Sequence, residues 1–241
     1  MVRLFIDFDG TITRDDVGNL FFRTFGGPAC DELVRRYRAG ELSAAATFRE
    51  EAAAVGPLDL GAAGEFLRGC DTDPGFPRLV RFCRDREIDL CVVSDGLDYY
   101  IAAILERAGC GDVPFVSNRA VFHGPDASGR HALGFEFPYN DAVCDRCACC
   151  KRNLMLTRSA DEDVIVYVGD GFSDRCPVQY ADLVFAKGDL QTYCREENIS
   201  YIVYRTLDDV TGQLESLLEG DGMRRRRQAM LRRRAVFAAE P

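Results

Sequence analysis

The chain has 241 residues, of which 47% are hydrophobic and 29% are charged, and this composition suits a globular protein with a sizeable buried core. It excludes a fibrous repeat or a largely disordered chain, and no apolar run is long enough to span a bilayer. Residues 1–7 turn acidic too early for a signal peptide. We therefore expect a cytoplasmic protein with no membrane partner.

The net charge of −9 is unevenly distributed along the chain. Residues 223–241 hold seven Arg and one Glu, so they carry +6 and leave −15 on residues 1–222. An acidic main body does not attract nucleic acid over a long range. We expect the Arg-rich C-terminal tail, 223–241, to be a solvated helix or a frayed end, with polyanion binding as the alternative.

Short apolar runs rich in β-branched residues predict buried parallel strands. In chain order these runs are 3–8, 89–93, 164–168, 183–186 and 201–204. Helical patterns lie between and after them, at 76–86, 98–108, 174–180, 189–197 and 207–218. The alternation predicts an α/β fold with a doubly wound parallel sheet.

Two stretches interrupt this alternation. Residues 14–73 show no strand pattern and carry Ala, Leu, Glu and Arg at helical spacing, which predicts an inserted helical cap. Residues 115–140 contain Gly-Pro, Ser-Gly and short aromatic alternations, which predict a β-hairpin. The expected organisation is a core of 1–13 and 74–222, a cap of 14–73 and the C-terminal tail.

Polar residues close several of the predicted strands. The first strand runs into Asp7 and Asp9, two carboxylates on the same side of an extended chain, and the second ends in Ser94-Asp95-Gly96. Ligands bind at the carboxyl ends of strands in open α/β sheets, so these residues are candidates for one site. The backbone N–H groups around Ser94, Asp95 and Gly96 can cradle an anion.

The third strand ends in Gly169-Asp170-Gly171, with Asp174 four residues beyond Asp170, and Lys151 opens a helical segment before it. Closely spaced carboxylates repel one another unless a cation lies beside them. Oxygen ligands of this kind suit Mg²⁺, and a carboxylate nucleophile needs such a cation to attack a phosphate anion. Only two of the chain's 30 basic residues are Lys, so a Lys at position 151 indicates a requirement for a compact ammonium.

These motifs, in this order, resemble the haloacid dehalogenase superfamily of phosphohydrolases. The shared elements are Asp-x-Asp-Gly-Thr at 7–11, Ser94, Lys151 and Gly-Asp-x-x-x-Asp at 169–174. The resemblance implies a HAD-like Rossmannoid core, an Mg²⁺ cofactor and a small phosphorylated metabolite as substrate. It also implies a phospho-aspartate on the nucleophile Asp7, with Asp9 as general acid and base.

The same resemblance implies roles for the remaining motif residues. Ser94 and Lys151 would hold the transferring phosphoryl group, with Asp95 and Gly96 completing the phosphate cradle. Asp7, the backbone carbonyl of Asp9 and Asp170 would bind Mg²⁺, and Asp174 would assist. A helical insertion at this place in the chain is typical of the subfamily that includes phosphoserine phosphatase.

Within this subfamily, the cysteine-rich approach to Lys151 resembles the phosphatases of methionine salvage. Their substrate, 2-hydroxy-3-keto-5-methylthiopentenyl-1-phosphate, is therefore one expected substrate. The alternatives are a phosphoserine phosphatase-like enzyme, a phosphotransferase with the same Asp7 chemistry, or a non-enzymatic polyanion-binding protein that acts through the Arg-rich tail. The sequence leaves the oligomeric state open.

Several other residues have two possible roles. Cys144, Cys147, Cys149 and Cys150 could bind zinc, but no second cysteine pair follows, so reduced thiols that pack the loop before Lys151 are favoured. Lys187 could reach the site, although an ordinary loop lysine is the preferred interpretation. Asp15 and Asp16 are expected to cap the first helix of the insertion.

Overall fold

A computed structural model describes residues 1–144, 146–220 and 223–239. An eight-stranded sheet forms the centre, in the order β2-β5-β4-β3-β1-β6-β7-β8. The strands are β1 (Val2–Ile6), β2 (Pro57–Leu58), β3 (Asp89–Leu97), β4 (Phe115–His123), β5 (His131–Glu136), β6 (Val164–Gly169), β7 (Leu183–Ala186) and β8 (Ile202–Val203). In these described ranges, no helix combines the length and the hydrophobicity needed to cross a membrane.

Strand β1 lies in the middle of the sheet, and it pairs in parallel with β3 on one side and β6 on the other. Its side chains alternate between two buried clusters: Leu4 and Ile6 pack in one, and Phe5 packs in the other. The sheet is therefore buried on both faces, as expected for parallel strands covered by helices. The predicted doubly wound α/β fold is confirmed.

Ten helices are described, six of which lie outside the predicted cap segment. The helices are α1 (Val17–Gly26), α2 (Ala29–Arg38), α3 (Ala44–Val55), α4 (Leu60–Arg68), α5 (Phe76–Asp85), α6 (Asp98–Arg107), α7 (Lys151–Thr157), α8 (Gly188–Glu196), α9 (Leu207–Glu219) and α10 (Arg227–Ala239). Helices α5, α6 and α9 contribute to the cluster that contains Leu4 and Ile6, whereas α7 and α8 contribute to the cluster around Phe5.

The segment between β1 and α5 carries α1 to α4 and the short strand β2. Asp16 caps α1 by accepting a hydrogen bond from the backbone N–H of Asn19, which confirms its expected capping role. Helices α1, α2 and α3 pack against one another, and β2 pairs with β5, so this segment also joins the edge of the sheet. Aromatic rings from α1 and α3 meet Phe135 of β5, which links this packing to the same edge.

Two predicted elements differ from the structure. The helix predicted at 174–180 is a pair of short 3₁₀ turns, Phe172–Asp174 and Pro177–Gln179, because Asp174 binds the backbone of its own loop and Pro177 lacks a donor N–H. The predicted hairpin at 115–140 forms, but it is not a separate excursion. Its first strand, β4, begins as a parallel neighbour of β3 and then pairs antiparallel with β5.

The described part of the Arg-rich tail forms helix α10 and is mostly exposed, but one side of it packs against the main body. Helix α10 packs against the Pro177–Gln179 turn. Arg233 donates a hydrogen bond to the buried Asp182 carboxylate over 3.0 Å, and Arg226 donates to the carbonyl of Val178 over 2.6 Å. These arginines satisfy buried acceptors of the main body. Residues 221, 222, 240 and 241 of the predicted core and tail lie outside the described residues.

Candidate active site

The carboxyl ends of β1, β3 and β6 converge on one place in the sheet, beside the start of α7. The structure brings together there Asp7, Asp9, Ser94, Asp95, Gly96, Lys151, Asp170 and Asp174, the full set of sequence-predicted site residues. This follows from topology, since β1 lies between β3 and β6 and all three run in the same direction.

Asp7 follows the last residue of β1 and is 4% exposed. Its Oδ1 accepts a hydrogen bond from the backbone N–H of Phe8 and lies 2.7 Å from Nζ of Lys151. Burial and the neighbouring Asp174 charge raise the pKa of Asp7, and Lys151 opposes that shift. The ammonium thus offsets part of the cost of keeping this carboxylate charged in a buried site.

Lys151 is the first residue of α7, and its side chain is almost fully buried. Its Nζ contacts Asp7 at 2.7 Å, Asp174 at 2.8 Å and the Ser173 hydroxyl at 2.9 Å. Burial lowers the pKa of Lys151, but the two carboxylates outweigh burial and raise it well above its usual value. The side chain is therefore a fixed ammonium between two strand ends.

Asp174 is fully buried, and donors occupy both of its oxygens. Oδ1 accepts from Nζ of Lys151 and from the Tyr167 hydroxyl at 2.6 Å, while Oδ2 accepts from the backbone N–H groups of Asp170 and Gly171. Although burial raises its pKa, Lys151 and these donors lower it overall. These hydrogen bonds let Asp174 hold both Lys151 and the Asp170 loop in place, and its expected part in the metal site stays a prediction.

Asp170 presents its carboxylate beside Asp7. Its Oδ1 accepts a hydrogen bond from the Thr11 hydroxyl over 2.9 Å. A Cβ on Gly10, where φ is +72°, would lie 2.6 Å from Oδ2, so glycine permits both this turn and the close approach of the two loops. Burial and the Asp174 charge raise the pKa of Asp170 to about 6.

Asp9 lies between the start of α1 and Tyr100 of α6. Its Oδ1 accepts from the backbone N–H of Gly18, at the start of α1, and its Oδ2 accepts from the Tyr100 hydroxyl at 3.1 Å. Burial and the charge of Asp16 raise the pKa of Asp9 to about 7. A carboxyl group with this pKa can donate or accept a proton near neutral pH.

The predicted phosphate cradle lies in the last part of β3, where its pairing with β4 becomes irregular between Val93 and Leu97. The Gly96 backbone N–H donates to Oγ of Ser94 over 2.9 Å, and Gly96 has no room for a Cβ because the Tyr100 hydroxyl occupies that space. Ser94 is 1% exposed, and its Oγ lies 3.4 Å from Oδ2 of Asp9. These contacts place the Ser94 hydroxyl next to the Asp9 carboxylate.

The Asp95 side chain holds the loop before Lys151, while the expected contribution of its backbone N–H to the phosphate cradle stays a prediction. Its Oδ1 accepts hydrogen bonds from the backbone N–H groups of Ala148 and Cys149 and from the Asn118 amide. Burial raises the pKa of Asp95 to about 6, and these donors partly oppose the shift. The carboxyl group thus ties the loop that precedes Lys151 to strand β3.

One group of carboxylates in the described residues, Asp7, Asp170 and Asp174, brings three oxygen atoms within 4.8 Å of one another. The chemistry of this donor set fits a hard divalent cation such as Mg²⁺, which prefers carboxylate oxygens. Repulsion between these groups contributes to the raised pKa values of Asp7 and Asp170, as expected for a site that a cation would stabilise.

Within the described part of the chain, the four clustered cysteines do not form a group of ligand atoms close enough together to hold a metal ion. Cys149 and Cys150 are buried, Cys144 and Cys147 are half-buried, and all four are free thiols. The thiols pack the loop that Asp95 holds.

Lys187 is half-buried, with its Nζ 5.2 Å from the centre of the Tyr204 ring.

A cavity of about 540 Å³ opens above these residues, between the strand ends and helices α1 to α3. Its floor contains Asp7, Asp9 and Asp170, and its opposite wall contains Phe22, Phe48 and Glu51.

The sequence did not single out Glu51, Tyr100 or Tyr167. Helical periodicity marks Glu51 as a polar residue on the buried face of α3, and this was the available signal.

Comparison with known proteins identifies the family of the chain. The family model described as "Putative Phosphatase" matches residues 2–200. The chain belongs to this phosphatase family. Two relatives of this phosphatase are the 2-hydroxy-3-keto-5-methylthiopentenyl-1-phosphate phosphatases of Exiguobacterium sibiricum and Bacillus mycoides. They are 26% and 27% identical to it, covering 89% and 90% of this chain and 97% and 98% of their own.

Solved structures show the same fold at lower identity. A phospho-aspartyl intermediate analogue of phosphoserine phosphatase has a TM-score of 0.63 at 16% identity, covering 90% of this phosphatase and 97% of its own chain. Phosphoserine phosphatase from T. onnurineus has a TM-score of 0.65 at 18% identity, covering 89% and 94%. These structures confirm the predicted fold, and the family model and the named relatives confirm that the chain is a phosphatase.

Proposed function

We propose that this phosphatase hydrolyses a small phosphomonoester through a covalent phospho-aspartate on Asp7, with Mg²⁺ as cofactor. The observation that carries the proposal is the Asp7 carboxylate, which Lys151 holds at 2.7 Å on the floor of the cavity. The Phe8 amide and Lys151 engage Oδ1, which leaves Oδ2 as the atom for nucleophilic attack.

In the first step, Oδ2 of Asp7 attacks phosphorus as the ester P–O bond breaks. The departing oxygen takes a proton from Asp9, whose pKa of about 7 suits this transfer. In the second step, a water molecule gives a proton to Asp9 and attacks phosphorus. The P–O bond to Asp7 then breaks, inorganic phosphate leaves, and the carboxylate is restored.

The other residues of the site stabilise the charge on the transferring phosphoryl group. We assign Lys151, the Ser94 hydroxyl and the backbone N–H of Asp95 to its oxygens, and we assign the Gly96 N–H, which donates to Ser94 Oγ, to orienting that hydroxyl. Mg²⁺, which Asp7, Asp170 and the Asp9 carbonyl would hold, supplies positive charge against the repulsion between carboxylate and phosphate. We assign Asp174 to positioning Lys151 and Asp170, because four donors already occupy its oxygens.

We further propose residues 14–73 as a cap that closes over this site and selects the leaving group. The substrate we propose is 2-hydroxy-3-keto-5-methylthiopentenyl-1-phosphate, after the names of the relatives. The rings of Phe22 and Phe48, whose centroids are 5.7 Å apart, offer an apolar surface for the methylthio end of this molecule. A phosphotransferase would use the same Asp7 chemistry with an acceptor other than water.

Phosphate release in the presence and absence of Mg²⁺ tests the cofactor assignment. EDTA should inactivate the wild-type enzyme, and added Mg²⁺ should restore it. Asp170→Ala should raise the Mg²⁺ concentration needed for half-maximal activity at least tenfold or remove activity, because the site loses a hard anionic ligand. Asp161→Ala, an exposed control, should behave as the wild type. Full activity in EDTA would rule out this metal assignment.

A further inference from the structure

One wall of the cavity is formed by a single face of helix α3. Ala44, Thr47, Phe48 and Glu51 all line the cavity, and their spacing of three and four residues places them on the same side of the helix. Three of these residues are small, neutral or aromatic. Glu51 is the one carboxylic acid that α3 contributes to the cavity wall.

Glu51 is buried without a protein partner. It is 4% exposed, yet its carboxyl group forms no hydrogen bond or ion pair with any residue of 1–144, 146–220 or 223–239. Without a protein partner, a carboxyl group on a cavity wall must be satisfied by a molecule inside the cavity. An unpaired carboxyl group that faces the active-site cavity is therefore placed to meet a group of the substrate.

The surroundings of Glu51 favour its neutral form. Burial and the charge of Asp16 raise the pKa of Glu51 to about 8. The titratable groups that face it are Asp16, from the loop before α1, and Cys30, on α2. The cations Arg14 and Arg38 line the same cavity, and Arg38 acts on Asp16. A protonated carboxyl group carries one O–H donor, which no protein acceptor uses here.

We propose that Glu51 determines specificity by donating a hydrogen bond to a carbonyl or hydroxyl oxygen of an uncharged leaving group. The inference rests on the proposed phosphatase activity at Asp7 and deepens it. A leaving group with a carboxylate would meet the charge of Asp16 beside Glu51, so repulsion from Asp16 disfavours it. The matching substrates are phosphate esters of hydroxyketones and polyols whose remaining carbons pack on Phe22 and Phe48.

Kinetics of Glu51→Ala and Glu51→Gln on two substrates test this role. With dihydroxyacetone phosphate, whose leaving group offers a carbonyl and a hydroxyl, Glu51→Ala should raise KM about tenfold, the effect of losing one hydrogen bond. Glu51→Gln should stay within about threefold of the wild type, because its amide also donates. With phenyl phosphate, whose leaving group has no further oxygen, both variants should match the wild type.

The pH dependence of KM separates this role from a structural one. In the wild type, KM for dihydroxyacetone phosphate should rise above pH 8, because Glu51 then ionises and loses its donor. The rise should be absent in Glu51→Gln, which has no titrating group at this position. Glu50→Gln, an exposed position on the same helix, is the matched control and should keep the wild-type profile.

The outcomes that overturn the inference are distinct from failure of the proposed function. Unchanged KM in both Glu51 variants, with turnover intact, would overturn the role of Glu51 alone. Faster turnover of phosphoethanolamine than of dihydroxyacetone phosphate, lost in Glu51→Gln, would also overturn it, because the carboxylate would then bind a cation. No phosphate release from any of these esters by the wild type would overturn the proposed function and this inference with it.

Discussion

The two sides of the cavity are built in opposite ways. On the strand-end side, protein groups already satisfy the charges of Lys151 and Asp174, which hold each other at 2.8 Å. On the α3 side, Glu51 has no partner in the described residues, and the neighbouring surface is aromatic. The first side is preorganised for chemistry, and the second is left open for a leaving group. Substitutions on the first should therefore lower kcat, and substitutions on the second should raise KM.

The largest expected effect is that of Asp7→Asn, on the strand-end side. It should abolish turnover, because an amide with nearly the same shape cannot attack phosphorus. The midpoint of thermal unfolding should stay close to that of the wild type, and Asp161→Asn serves as an exposed control. Steady-state phosphate release checks this, and more than a trace of activity in Asp7→Asn would contradict the covalent mechanism.

The next effect is that of Lys151→Arg, which should lower kcat/KM roughly 100-fold or more, the scale of losing one preorganised charge-stabilising group. Nζ of Lys151 fits between Asp7, Asp174 and Ser173 at 2.7 to 2.9 Å, and a guanidinium is too large for that space. Lys187→Arg is the matched control and should change little. A near-normal kcat/KM for Lys151→Arg would mean that only the charge matters.

A smaller effect is expected from Phe48→Leu, on the α3 side. Phe48 lines the cavity and contacts Phe22 and Phe135, with ring centroids 5.7 and 5.3 Å away. Losing part of this apolar surface should raise KM for a substrate with an alkyl chain roughly fivefold, with kcat within about twofold of the wild type. Phe82→Leu, on α5, controls for aromatic loss elsewhere. A fall in kcat with unchanged KM would contradict the proposal that the α3 side binds the leaving group and the strand-end side performs the chemistry.

The smallest effect on activity is expected from Arg233→Ala, far from both sides. It should lower the free energy of unfolding by about 2 kcal/mol, because Asp182 loses one charged hydrogen-bond donor at 3.0 Å and keeps its backbone donors. The kcat/KM value should match the wild type, and Arg234→Ala, an exposed neighbour, should leave stability unchanged. Urea unfolding and steady-state kinetics measure the two quantities. A loss of activity without loss of stability would contradict this prediction and would mean that the tail affects catalysis.

Sequence patterns predicted the strand-end side much better than the α3 side. Asp7, Ser94 and Asp170 follow short apolar strands, and parallel strands carry their carboxyl ends to one edge whatever the details of packing. Such residues can be found from the sequence alone, because each one directly follows an apolar run. Whether they perform the assigned roles remains a prediction.

Long-range contacts explain what the sequence did not predict. The carboxyl group of Asp95 is directed by backbone donors more than fifty residues away, at Ala148 and Cys149. The partnerless state of Glu51 depends on how α1, α2 and α3 pack, and the docking of α10 depends on Asp182. None of these contacts leaves a periodic signal in the local sequence.

The most direct test of the account is to find the phosphoryl group on the enzyme. Wild-type protein with Mg²⁺ and a turned-over phosphomonoester should be acid-quenched within the first turnover, digested and analysed by mass spectrometry. The account predicts a phosphoryl group on the peptide that contains Asp7, and none on that peptide in Asp7→Asn. Full turnover with the phosphoryl group on another residue, or with no phosphorylated enzyme at any quench time, would contradict the assignment of Asp7 as the nucleophile.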